Sequence, residues 1–137
     1  MRGEEFREVL ERHGVRATTP RLAVASYVLA THEHPSADEI WTRARAVAPL
    51  ISRASVYNTL HLLVRKGLLR ELVLAEGRVV YDPKTIAHHH FIDERTGAIH
   101  DVPWEALEVK KIEGLKGFDV REYQVVLRGR SRKSARS

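Results

Sequence analysis

The chain contains no cysteine among its 137 residues and only one methionine, Met1. Disulfides, thiol redox chemistry and any Cys-ligated zinc site are therefore excluded. Long hydrophobic runs are also missing. No apolar stretch approaches the roughly 18 residues that span a bilayer, so no membrane partner is expected. The opening Met1-Arg2-Gly3-Glu4-Glu5 lacks the basic-then-apolar order of a signal peptide, and a cytoplasmic protein is expected. There are no internal repeats. Acidic residues are absent from one long interval. Ile40 to Arg70 holds Arg43, Arg45, Arg53, Arg65, Lys66 and Arg70 without a single Asp or Glu, in a chain that elsewhere mixes signs.

Hydrophobic residues make up 43% of the chain, enough for a packed core, and the net charge of +5 points toward a polyanionic partner. Phe6, Val9, Leu10 and His13 share one helical face that ends at Gly14. Thr19-Pro20 reads as an N-cap and first helical residue, opening a helix through Leu22, Ala25, Val28 and Leu29. Ser36-Ala37-Asp38-Glu39 is a capping box, followed by Ala37, Ile40, Trp41, Ala44 and Val47 at helical spacing and stopped by Pro49. Ser52 caps a fourth helix with a stripe of Val56, Leu60, Leu63 and Val64, ending at Gly67. Two β-rich runs, Leu68–Leu74 and Arg78–Tyr81, follow as a hairpin turning at Ala75-Glu76-Gly77.

Helices followed by a hairpin are the order of a winged helix-turn-helix, whose last helix before the wing enters the major groove of DNA. Its outward face here is Arg53, Ser55, Tyr57, Asn58 and His61, a basic and aromatic surface suited to phosphate and base-edge contact. The acid-free interval covers this helix and the one before it. Charge and topology therefore agree on double-stranded DNA as a partner.

Residues 1–83 are thus expected to be a DNA-binding domain, and residues 84–137 a second, smaller one after the connector Pro83-Lys84-Thr85. Its expected elements are a strand His88–Ile92, a turn Glu94-Arg95-Thr96-Gly97, a strand Ala98–Val102, a helix from Pro103 to about Glu113 and a strand Phe118–Leu127. A Ser/Arg tail from Arg128, with Arg130, Arg132, Lys133 and Arg136, is expected to be disordered. The fold class is α+β: a winged helix-turn-helix plus a small C-terminal α/β unit. So small a unit buries little core alone, which favours a homodimer reading a palindromic operator.

Metal chemistry is expected at the junction. Alternation along a strand puts His88 and His90 on one face and turns His89 to the other. Asp82 lies just upstream, and Asp101 sits on the strand that pairs back. Two imidazoles with carboxylates form an N/O site for Fe²⁺, Mn²⁺ or Zn²⁺, although an H-x-H run with unrelated acids is also a common surface feature.

Taken in order, these segments resemble the ferric uptake regulator (Fur) family, and within it most nearly the peroxide-sensing branch. The segments are Gly14-Val15-Arg16-Ala17-Thr18-Thr19-Pro20-Arg21, His34-Pro35-Ser36-Ala37-Asp38-Glu39-Ile40, Ser55-Val56-Tyr57-Asn58-Thr59-Leu60, Tyr81-Asp82, and His88-x-His90 followed by Gly97-x-Ile99-x-Asp101. The resemblance runs from about Val15 to Gly129. It implies a regulatory metal site of His34, Asp82, His88, His90 and Asp101. It also implies that Tyr57 contacts bases and that Arg16 reaches toward the minor groove. In the peroxide-sensing branch, Fe²⁺ and peroxide lead to oxidation of a ligand histidine, which would be His34 or His88.

Two departures from the family pattern stand out. Asp93 and Thr96 occupy positions where relatives carry the first cysteine pair of a structural zinc, so no structural zinc is expected. Ala87 and Tyr123 stand where a further metal site would use histidines, and Glu108 alone is not assigned as a ligand. Other readings are a regulator of iron, manganese or zinc uptake, a haem-responsive regulator, and a metal-independent DNA-binding module. A non-haem iron enzyme is disfavoured, because five protein ligands leave little room for substrate.

Overall fold

The computed structural model describes residues 3–74 and 77–132. The backbone forms two units, Met1–Thr85 and Ile86–Ser137.

The first unit begins with α1 (Gly3–Arg12). Phe6 and Leu10, one turn apart, are its buried residues; Val9 is half-buried and His13 is exposed, so the expected stripe is narrower than its spacing suggests. Gly14, at φ +74°, turns the chain out of the helix in a conformation that glycine adopts at little cost. Helix α2 (Thr19–Val28) is capped by Thr18, not by Thr19. Thr18 is extended and lies three residues before Arg21, so its Oγ1 accepts the Arg21 N–H at 3.4 Å. Thr19 and Pro20 instead form the first turn. Small buried residues, Ala23, Val24 and Ala25, let α2 pack closely on its neighbours.

Helix α3 (Ala37–Ala44) opens on the expected capping box: Ser36 Oγ accepts the Glu39 N–H, and Glu39 Oε1 accepts the Ser36 N–H. It ends at Ala44, well before Pro49. The N–H groups of Ala46 and Val47 reach back three residues instead of four, tightening the last turn. That rotation takes Val47 off the apolar face and leaves it 61% exposed, against the expectation that it belongs to the core. Helix α4 (Arg53–Arg65) is capped by Ser52 and buries Val56, Thr59, Leu60 and Leu63. Strands β1 (Arg70–Val73) and β2 (Val79–Asp82) form the antiparallel wing, closed by the Leu74 N–H on the Arg78 carbonyl. Ala75 and Glu76 of the expected turn lie outside the described residues. Leu10, Val24, Ile40, Leu60, Leu63 and Tyr81 join the four helices and the wing in one core.

The second unit is a three-stranded sheet in the order β4-β3-β5. Strand β3 (His88–Asp93) pairs antiparallel with β4 (Ile99–Pro103) and parallel with β5 (Val126–Gly129). Two expectations fail here. Only a 3₁₀ turn, Trp104–Ala106, forms where a helix to Glu113 is expected. Val109 of that segment is exposed, and a short helix without an apolar surface to pack on is marginal. The strand expected at Phe118–Leu127 is found at Val126–Gly129; Val125, just before it, accepts the His90 N–H but gives its own N–H to His89 Nδ1. Arg128 consequently lies in the sheet and not in a disordered tail; Lys133 and Arg136 lie outside the described residues. Among the described residues no helix is long and apolar enough to cross a membrane.

Candidate metal centre and nucleic-acid interface

In the first unit the chain places one imidazole against one carboxylate. The Tyr81 N–H donates to the Pro35 carbonyl at 2.9 Å, pinning the end of β2 beside the loop that carries His34. His34 itself has φ +52°, a left-handed conformation uncommon outside glycine, though His, Asn and Asp adopt it more readily than other side chains. The result is that His34 Nε2 lies 3.2 Å from Asp82 Oδ2, with both residues 5% exposed. Asp82 Oδ1 accepts the Lys84 N–H at 2.9 Å, which fixes the carboxylate's orientation. Tyr81, just before Asp82, has its phenol pushed up to about 12 by burial and then by Glu71, whose carboxylate it faces at 3.4 Å.

In the second unit the β3–β4 register sets His90 directly opposite Asp101. His88, two residues earlier, falls on the same face and on the diagonal to Asp101. Asp101 Oδ1 lies 3.3 Å from His88 Nε2 and 3.7 Å from His90 Nε2, and the two imidazole centroids are 4.5 Å apart. The second nitrogen of His88 orients the ring. Nδ1 lies 2.6 Å from the Ile86 carbonyl, which can only accept, so Nδ1 carries a hydrogen and, in the neutral ring, Nε2 presents a lone pair. A lone pair facing a carboxylate oxygen is an arrangement that a cation between them satisfies. Neutral imidazole nitrogens with a carboxylate suit borderline divalent metals, and an outer hydrogen bond to the other ring nitrogen is the usual way to orient such a ligand. The histidines are buried, whereas Asp101 is exposed and leaves one side of the cluster open.

His89 points to the opposite face, as alternation requires, but it is not a solvent-facing residue. It is 1% exposed, stacks on Trp104 at 4.5 Å and accepts the Val125 N–H. Burial first, then its two histidine neighbours, hold its imidazole below the ordinary histidine range. The orienting carbonyl of Ile86 and this Trp104 stack carry no sequence signature, because both depend on where the strand partners fall.

The positions matching the cysteine pair form a hydrogen-bonded turn. Asp93 Oδ1 accepts the Arg95 N–H at 2.9 Å, and Thr96 Oγ1 accepts the Ala98 N–H at 3.1 Å. The Arg95 N–H is the main cause holding the Asp93 carboxyl below the usual carboxylate range.

On the helical unit, Arg53, Tyr57, Asn58 and His61 are exposed along α4, and Ser55 is half-buried, its N–H donating to Ser52 Oγ and its own Oγ accepting the Ser52 hydroxyl. Tyr57 is 43% exposed, a large fraction for an aromatic ring. Arg16 is exposed in the loop between α1 and α2.

Residues 12–128 match the model of the ferric uptake regulator family. The chain is 34% identical over 128 residues to the peroxide-responsive repressor PerR of Staphylococcus epidermidis, covering 92% of this chain and 85% of that protein. Among solved structures it resembles the Campylobacter jejuni peroxide stress regulator, with a TM-score of 0.67, 28% identity, and coverage of 93% and 97% of the two chains. It also resembles a zinc-bound manganese uptake regulator, with a TM-score of 0.67, 25% identity, and coverage of 92% and 98%.

Proposed function

Since the chain belongs to the ferric uptake regulator family, we propose that it is a metal-dependent, homodimeric DNA-binding repressor that senses peroxide through its metal site. The observation that carries this reading is the convergence of His88 Nε2 and His90 Nε2 on the Asp101 carboxylate. Fe²⁺ or Mn²⁺ would be held by His34, Asp82, His88, His90 and Asp101. In this reading filling the site governs whether two winged helices meet two half-sites. The Ile86 carbonyl keeps the His88 lone pair aimed inward, and the Pro35–Tyr81 bond keeps His34 and Asp82 together. Tyr57, Asn58 and Ser55 would read the major groove, Arg53 would meet phosphate, and Arg16 would reach the minor groove. A second copy would cover exposed apolar residues of the C-terminal unit such as Leu115 and Phe118.

Bound iron supplies the reduction of peroxide. Asp101 is exposed, so peroxide would approach from its side, and the imidazole of His34 or His88 would be the group that takes up oxygen. An oxidised imidazole is a poorer ligand, the hold on the metal is lost, and DNA is released. The test is to load the protein with Fe²⁺ without air and add a modest excess of peroxide. One added oxygen is expected on the peptide containing His34 or that containing His88, with duplex binding lost at the same rate and the Mn²⁺ form inert. An iron form that keeps its histidines unoxidised removes peroxide sensing. It would favour a regulator of manganese, zinc or iron uptake, the reading supported by the likeness to the zinc-bound manganese uptake regulator.

A further inference from the structure

Trp41 carries two guanidiniums. The Cζ of Arg45 lies 3.8 Å from its ring centroid and the Cζ of Arg53 lies 4.1 Å from it. The indole is itself anchored: it is half-buried against the helical core, and its Nε1–H donates to the Ile51 carbonyl at 3.0 Å. Arg45 stands one turn after Trp41 at the end of α3, and Arg53 is the first residue of α4. One fixed ring thus gathers two like charges from the two helices of the helix-turn-helix.

The charges around them are unequal. Arg53 pairs with Asp38 at 3.3 Å, whereas Arg45 has no acidic partner among the described residues. Arg43, in the same acid-free interval, makes a useful contrast. It also lies over an aromatic ring, Tyr27 at 5.0 Å, but Glu33 stands 3.7 Å from it. Arg43 is therefore a neutralised surface residue, and the Trp41 pair retains an excess positive charge. A guanidinium held flat on an anchored ring loses less freedom when it meets an anion, and its fork matches phosphate oxygens. Arg53 lies four residues before Tyr57, on the same face of α4. The end of α4 that would enter the groove is therefore the end that carries the stack.

We infer that Arg45, Trp41 and Arg53 form a phosphate clamp that grips the DNA backbone beside the groove read by Tyr57. The inference rests on the DNA-binding reading above. It adds Arg45 and Trp41 to that interface and makes the indole the element that orients both cations.

The test uses the full chain loaded with Mn²⁺ and a fluorescein-labelled duplex of mixed sequence, with affinity followed against salt. Arg45→Ala is expected to reduce the slope of log K against log salt by about 0.9, the loss of one phosphate contact, and Arg53→Ala by less, because Asp38 offsets part of its charge. Arg43→Ala is expected to leave the slope unchanged. Arg45→Lys should keep the slope and lose part of the affinity, because a lysine supplies the charge without the flat stack. In a Trp104→Phe background, duplex should change Trp41 emission, and Arg45→Ala with Arg53→Ala should abolish that change. A wild-type slope in Arg45→Ala, or an equal loss from Arg43→Ala, would overturn the clamp while leaving DNA binding intact. A wild-type chain that binds no duplex at all overturns the DNA reading and the clamp with it.

Discussion

His34 Nε2 and Asp82 Oδ2 stand 3.2 Å apart in the protein interior, one from the loop before α3 and the other from the last residue of the wing. The contact ties the loop to the strand through side chains, as the Pro35–Tyr81 bond does through the backbone. Removing the imidazole should leave a buried carboxylate poorly satisfied, at a cost of about 1–3 kcal/mol. His34→Ala is therefore expected to melt several degrees lower. If His34 is also a metal ligand, Mn²⁺ should raise the melting temperature of this variant less than it raises that of the parent chain. Equal stabilisation by Mn²⁺ in both would place His34 outside the metal site.

The three consecutive histidines should separate cleanly. His88→Ala and His90→Ala each remove a nitrogen that faces Asp101, and both are expected to lose tight Mn²⁺ binding in a titration. His89→Ala should retain the affinity and instead lose stability, on the order of 2 kcal/mol, because a buried, stacked and hydrogen-bonded ring is deleted. Equal losses of metal affinity from all three would contradict the strand alternation on which the assignment rests.

Much of this architecture is legible in the sequence. The Ser36 capping box, the Ser52 cap and the spacing of Val56, Leu60 and Leu63 are local signals, and local signals survive folding. Alternation in β3 paired His88 with His90, and the turn at Gly97 brought Asp101 opposite. His34 was reachable only through family resemblance, since its approach to Asp82 depends on a long-range backbone bond and a left-handed φ. The segment after Pro103 misled for a related reason. A helix is expected there from the sequence, yet Val109 remains exposed, and a short helix persists only where a surface exists to bury it.

For DNA recognition, Tyr57→Ala should narrow the gap between specific and random duplex by about 1–3 kcal/mol, the usual worth of one base contact. Competition binding reads this directly. An unchanged preference would mean that the exposed ring does not face the bases.

Asp93 makes the β3–β4 turn sensitive to acid. Its folded carboxyl titrates below the ordinary range, chiefly through the Arg95 N–H. A depressed carboxylate contributes stability that is fully present above its unfolded pKa and lost as pH falls through the folded one. Asp93→Asn can still accept the Arg95 N–H but carries no charge. Its stability should fall below the parent's near neutrality, and the gap should close from about pH 5 downward. A gap that stays constant across that range in urea unfolding would contradict the assignment.

The central claim is that metal occupancy governs recognition of DNA. The most direct measurement is selection of binding sites from a random duplex library, run in parallel with Mn²⁺ and with chelator and followed by sequencing. With Mn²⁺ the selected sites should converge on a palindrome spaced for two winged helices, and with chelator, or with His88→Ala in either condition, no such sequence should emerge. Recovery of the same palindrome with and without metal would contradict the account.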